Sequence, residues 1–244
     1  VTTLFIADLH LSGERPHIIE LFRQFLRDEA REAEALYILG DLFEVWLGDD
    51  AIPAELATLL AEMKSLTESG VPVYVMAGNR DFLMGERFAQ LSGSTLLPDP
   101  SVIDLYGTPT LLMHGDTLCT DDTDYQAFRQ MVRDPAWQKA FLAKSIEERI
   151  AYGRQARAES KARSKEKSEE IMDVNADAVE AAFREQGVSR LIHGHTHRPA
   201  THTLTVNGQP VTRIVLGDWY DQGSVLRVDE SGCELATLPD GEAA

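Results

Sequence analysis

Five short fragments occur in order along the chain: Asp8-Leu-His10, Gly40-Asp41, Gly78-Asn-Arg-Asp81, His114-Gly-Asp116 and His193-Gly-His195-Thr-His197. Each follows an apolar run of strand character, and each carries a side chain able to bind a divalent metal. A chain of this kind must fold so that five strand ends meet at one point. Strands of a single sheet can do this at their carboxyl ends, where rigid backbone holds ligands best.

The surrounding pattern alternates strand and helix. Thr2 to Ala7 is β-rich and apolar, and Pro16 opens a helix whose Ile18, Ile19, Phe22, Phe25 and Leu26 recur at helical spacing. Ala35 to Leu39 and Val71 to Met76 repeat the strand, and Pro53 starts a second helix that carries Leu56, Leu59, Leu60 and Met63 before Gly70 ends it. From Thr95 short strands follow at Val102 to Leu105 and Pro109 to Met113, with a turn at Tyr106-Gly107. Further strands are expected at Arg190 to Ile192, Ala200 to Val206, Val211 to Leu216 and Val225 to Val228, and Asn207-Gly208 supplies a hairpin turn. The expected fold is a layered α/β sandwich, two sheets flanked by helices, forming a single domain over residues 1–244.

Residues 123–173 interrupt the strands with helical sequence and are expected to form an inserted cap. Tyr125, Phe128, Met131, Val132, Trp137, Phe141, Ile146 and Ile150 make apolar stripes that serve either to pack the insertion onto the body or to line a ligand groove. Arg154, Arg157, Lys161, Arg163, Lys165 and Lys167 crowd the same segment, although the chain has 40 acidic and 23 basic residues and a net charge of −17. That overall charge argues against nucleic acid as a partner. Cys119 and Cys233 have no CxxC spacing, so neither a disulfide framework nor a zinc knuckle is expected, and a reducing cytoplasm is the default. No apolar stretch is long enough to span a bilayer, and the first residues read as a strand rather than a signal peptide.

The candidate ligands Asp8, His10, Asp41, Asn79, His114, His195 and His197 form an oxygen and nitrogen set without sulfur. They are too many for one tetrahedral ion and suit two ions roughly 3.5–4 Å apart, the arrangement that clamps attacking and leaving oxygens in phosphoryl hydrolysis. Asp41, directly after a strand and Gly40, is the natural bridge. His195 and His197 stand two apart, so an extended segment would face both the same way. His193 stays open between a ligand and a supporting position. Gly40, Gly78, Gly115 and Gly194 suit backbone that must approach a crowded ion pair.

These fragments resemble the calcineurin-like metallophosphoesterase superfamily, with its Asp-x-His, Gly-Asp, Gly-Asn-His-Asp/Glu, later His and Gly-His-x-His pattern. The resemblance spans Asp8 to His197 and implies a four-layer α/β sandwich. It also implies Asp8, His10, Asp41 and His197 around one metal, and Asp41, Asn79, His114 and His195 around the other. Arg80 stands where most members carry the histidine that protonates an alkoxide leaving group. A pyrophosphate leaving group needs less protonation, and an arginine that neutralises its charge suffices.

Longer stretches, Tyr37 to Asp50, Gly78 to Gly85, His114 to Asp122 and Ile192 to Pro199, resemble the UDP-2,3-diacylglucosamine diphosphatase family of lipid A biosynthesis. That resemblance implies a hydrolase with two Mn2+ ions, in which water attacks the α-phosphorus of UDP-2,3-diacylglucosamine. Asp41, Asn79, Arg80, His114 and His195 are the implied catalytic residues, and Asn79, Arg80, Asp122, Ser160, Ser164, Lys167 and His195 the implied substrate contacts. Ser164 falls where some members have asparagine. The implied setting is a monomer at the cytoplasmic face of the inner membrane of a Gram-negative bacterium, in peripheral contact through the cap. A dimanganese phosphoesterase for soluble nucleotides or phosphoesters, and a scaffold without turnover, are the alternatives.

Overall fold

The computed structural model describes residues 1–164 and 171–238. The expected contact Lys167 and Lys165 of the basic cluster lie outside them, as do the side chains of Lys161, Arg163 and Ser164.

Strands β1 (Thr3–Ile6), β2 (Ala35–Leu39) and β3 (Val73–Met76) run parallel and next to one another, with β4 (Thr95–Leu97) parallel at one edge. Strand β10 (Gly223–Asp229), antiparallel to β1, and strand β11 (Gly232–Leu238), antiparallel to β10, complete this six-stranded sheet in the order β11-β10-β1-β2-β3-β4. The second sheet has five strands, β5 (Ser101–Leu105), β6 (Thr108–Met113), β7 (Arg190–His193), β9 (Gln209–Val215) and β8 (Ala200–Val206), in that order. Its central strands β6, β7 and β9 are parallel and its two edges are hairpins. Both hairpins turn on two residues with positive φ, Tyr106-Gly107 and Asn207-Gly208, the geometry that matches the twist of paired strands.

Alternation along β1 shows how the layers form. Leu4 and Ile6 face a core shared with helices α1 (Pro16–Arg27) and α2 (Ala54–Glu68), whereas Phe5 meets Leu112, Ile192 and Ile214 of the second sheet. A third core joins the outer face of β6 and β7 to Val179 and Phe183 of helix α7 (Ala176–Gln186). The result is helix, sheet, sheet, helix, the four-layer sandwich expected. Helix α1 starts at Pro16, and its Ile18, Leu21, Phe22, Phe25 and Leu26 are all buried. Phe22 and Phe25 meet the buried Trp219 ring edge-on, with centroids 6.0 and 5.7 Å away.

Helices α4 (Thr123–Arg133), α5 (Pro135–Leu142) and α6 (Ile146–Ser164) follow β6 and interrupt the second sheet. Asp122 and Asp134 cap the first two by accepting from the Tyr125 and Trp137 amides. Helix α3 (Glu86–Ser92), helix α7 and strands β4 and β11 add to the elements read from the sequence. One expectation is corrected. The five fragments do not follow strands of one sheet: β1, β2 and β3 carry the first three, and β6 and β7 of the other sheet carry the last two.

Candidate active site

The site lies where the carboxyl ends of the two sheets converge. Backbone hydrogen bonds continue past the strands and lock the loops together: Asp8 N to Gly40 O (3.0 Å), His10 N to Asp41 O (2.9 Å), Gly194 N to His114 O (2.9 Å) and Trp219 N to Asp8 O (3.0 Å). Asp8, His10, Asp41, His195 and His197 all have φ between 48° and 70°. Left-handed backbone is costly for such residues and persists only where the surrounding structure imposes it. His195 and His197 are therefore not on an extended segment, and the reason expected for their common orientation is corrected. Each is turned inward by its own left-handed backbone, in the loop between β7 and β8.

The side chains form two groups joined by Asp41. In one, His197 Nε2 lies 3.4 Å from Asp8 Oδ1 and 3.4 Å from His10 Nε2, which is 3.8 Å from Asp41 Oδ2. In the other, Asn79 Oδ1 lies 2.9 Å from His114 Nε2 and 3.0 Å from His195 Nδ1, and Asp41 Oδ1 is 3.9 Å from His114 Nε2. The two carboxylate oxygens of Asp41 thus face different groups. Ligand atoms of Asp8, His10 and His197 lie within 4.8 Å of one another, and so do those of Asp8, Asp41 and His114.

These residues fit a cation. Asp8 Oδ1 is buried without a hydrogen-bond partner among the described residues. His114 Nδ1 is 2.9 Å from the Leu39 carbonyl and so carries a proton, which leaves Nε2, 2.9 Å from the Asn79 carbonyl oxygen, as the nitrogen that takes up either a second proton or a cation. Lone pairs converging at that distance require a proton or a cation between them. Burial opposes charge here, yet His197, His114 and His10 hold the Asp8 carboxyl down at about 2; burial likewise opposes protonation of His114, but Asp41, Asp116 and Asp8 push it up to about 9. His193 lies behind the ligands: its Nδ1 is 2.8 Å from the Gly194 carbonyl and its Nε2 3.1 Å from Arg213, and burial lowers its pKa to about 3.

A cavity of about 650 Å3 opens onto these groups. Its walls include Asn79, Arg80, Asp122, Ser160 and His195, five of the seven expected substrate contacts, together with Trp46, Phe82, Phe128, Met131, Trp137 and Phe141. Tyr125, Phe128, Met131, Trp137 and Phe141 of the expected stripes line it, whereas Val132 is buried and Ile146 is exposed.

The family model of calcineurin-like phosphoesterases matches residues 1–199. The chain belongs to this family. It is 56% identical over 245 residues to a UDP-2,3-diacylglucosamine hydrolase of Xanthomonas axonopodis pv. citri (strain 306), covering 98% of this chain and 99% of that one. A protein of the same name from Stenotrophomonas maltophilia (strain K279a) is 55% identical over 246 residues, with the same coverage.

In this calcineurin-like phosphoesterase several working residues lie outside the expected set. Asp81 clips the third loop to the second, accepting from the Gly78 amide (2.7 Å) and the Phe43 amide (3.3 Å), and burial beside Asp41 pushes its carboxyl up to about 6. Asp116, fully buried, accepts from the Tyr125 hydroxyl (2.5 Å) and Arg129 Nε (2.7 Å), which ties α4 to the floor of the site. Their places inside the third and fourth fragments were the available signal. Arg133 donates to the Gly78 carbonyl (2.8 Å), and the Tyr220 ring stacks on His10 at 5.1 Å. Neither has a sequence signal, because each is distant in the chain from the group it touches.

Proposed function

We propose that this phosphoesterase hydrolyses the pyrophosphate bond of UDP-2,3-diacylglucosamine, water attacking the α-phosphorus to release UMP and 2,3-diacylglucosamine 1-phosphate, a step of lipid A biosynthesis. The observation that carries this reading is the aromatic and aliphatic cavity that shares Asn79, His195 and His197 with the ligand groups and has Arg80 in its wall, which suits a substrate with acyl chains on one side of its phosphates.

Two Mn2+ ions are assigned, one to Asp8, His10, Asp41 and His197 and one to Asp41, Asn79, His114 and His195. Bound there, divalent ions supply Lewis-acid polarisation of the phosphoryl oxygens and of the attacking water. Asp41 holds the two groups in register, and its Oδ1 is fixed by the Arg80 amide at 2.8 Å. Arg80, whose buried Nε has no hydrogen-bond partner among the described residues, neutralises the departing phosphate, which needs no proton donor. Asp122, Ser160, Ser164 and Lys167 complete the contacts to the sugar and phosphate. Residues 123–173 act as a cap within a single domain of residues 1–244. That cap holds the acyl chains and touches the cytoplasmic face of the inner membrane; no helix among the described residues is long and apolar enough to cross a membrane.

Hydrolysis in oxygen-18 water with Mn2+, comparing the wild type with Asn79→Ala, tests this reading. Label is expected in UMP, with the variant strongly impaired. Label in the sugar phosphate overturns the direction of attack. Turnover of a soluble aryl phosphate equal to that of the acylated nucleotide favours a soluble substrate instead.

A further inference from the structure

A second cavity, of about 470 Å3, adjoins the apolar one across Glu44, Arg80, Arg157 and Ser160, which line both. Its remaining walls are Ser12, Glu14, Arg15, Ala158 and Tyr220. The character is opposite to that of its neighbour: three guanidinium groups face two carboxylates, in a chain whose overall charge is −17. Glu44 is shared between two of the arginines, with Oε1 2.9 Å from Arg157 and Oε2 3.7 Å from Arg15. Positive charge is thus left over in a volume typical of small-molecule sites.

Geometry joins this cavity to the ligand groups. The Tyr220 ring stacks on His10, with planes 10° apart, and the Arg15 guanidinium lies 4.7 Å from the centre of the same ring. Arg15 also donates to the His10 carbonyl. The cavity therefore borders the first ligand group at His10, whereas the apolar cavity reaches the ligand groups from the other side, at Asn79, His195 and His197.

We infer that the 470 Å3 cavity receives the nucleoside monophosphate half of the substrate, with Arg15, Arg157 and Tyr220 as its contacts. This rests on the pyrophosphate reading above. At a tetrahedral α-phosphorus the bridging oxygen and the ribose oxygen point in different directions. With the acylated sugar in the apolar cavity, the nucleoside must leave the metal groups by another way, and the second cavity is the adjoining space with the right chemistry. A guanidinium fork donates to phosphate and to the carbonyl oxygens of a pyrimidine, and carboxylates such as Glu14 and Glu44 accept from a ribose diol. Arg157, projecting from α6, would bring the helical insertion onto the nucleotide as well as onto the lipid.

Calorimetric titration of UMP into the manganese-loaded protein tests the assignment, with inorganic phosphate and 2,3-diacylglucosamine 1-phosphate titrated alongside. Arg15→Ala and Tyr220→Leu are each expected to weaken UMP about 10-fold or more, the scale of a lost charge-assisted contact, and to change lipid product binding less than about 3-fold. Tyr220 is on the surface, so its variant guards against a folding defect at Arg15, and manganese content is measured for both. Equal weakening of UMP and inorganic phosphate, or unchanged UMP affinity in both variants, overturns the assignment. If the wild type cleaves UDP-2,3-diacylglucosamine while the variants bind UMP normally, this inference fails and the proposed function stands. If the wild type neither cleaves that substrate nor binds UMP, both fail.

Discussion

Gly78 lies directly against Asp41: a β-carbon at position 78 would overlap both the Oδ1 and the backbone nitrogen of Asp41. The contact explains why the third fragment needs glycine there, since the loop after β3 must press on the carboxylate that faces both ligand groups. Gly78→Ala is expected to displace Asp41 or the loop and lower kcat by about 100-fold, the scale of a displacement near 1 Å at a reacting centre. Steady-state kinetics and a far-UV spectrum of the folded variant check it.

Asp41→Asn removes the charge between the two groups while keeping the side chain's shape. Metal content should fall below two ions per chain, with affinity weakened by more than the roughly 10–100-fold seen when only an outer partner of a ligand is lost. Elemental analysis after dialysis, alongside activity against added Mn2+, reads the outcome; full occupancy with wild-type turnover would remove Asp41 from the centre.

Chelation should abolish activity and leave the sandwich folded, because its three cores are built without the ligand groups. Thermal unfolding should move to lower temperature, since ions that bind only the folded chain stabilise it by mass action. Readdition of Mn2+ should restore both properties. Activity that survives exhaustive chelation would contradict the metal assignment.

Trp137 stacks on Phe141 at 4.9 Å and faces Tyr152 at 5.9 Å, forming an aromatic wall of the apolar cavity. Trp137→Ala should raise KM for a diacylated substrate by roughly 10-fold or more, the cost of losing a well-packed aromatic anchor, with the smaller effect on kcat. A loss confined to kcat would mean that this wall does not hold acyl chains.

Arg149, with its side chain 2% exposed, attaches α6 to the loop after β2. Its Nη1 donates to the Leu47 carbonyl (2.7 Å) and Asp50 Oδ1 (2.7 Å), and its Nη2 to Asp50 Oδ2 (2.5 Å). Arg149→Ala should destabilise the protein by about 1.5–3 kcal/mol at neutral pH, the range for hydrogen bonds to charged groups. The hydrogen bond from Arg149 holds the Asp50 carboxyl below its ordinary 3.8. A folded pKa below the unfolded one stabilises above about 3.8 and loses that contribution as pH falls through the folded value. The gap between wild type and variant in chemical denaturation should therefore be full at pH 7 and narrow below about pH 3.8; a gap independent of pH would assign the effect to packing alone.

The strands that precede the five fragments and the departure at Arg80 were legible in the sequence, because each depends on residue type in or next to a short apolar run. Helix α1 and the Asn207-Gly208 turn were legible for the same local reason: burial at helical spacing and positive φ leave their mark within a few residues. Tertiary structure alone decided that the five fragments come from two sheets, that left-handed backbone rather than an extended strand aims His195 and His197, and that Tyr220 stacks on His10. It alone also placed Arg157 against Glu44, and so created the second cavity beside the first. Those features arise from packing between segments far apart in the chain, where the position of each side chain depends on every layer beneath it and no local pattern records the outcome.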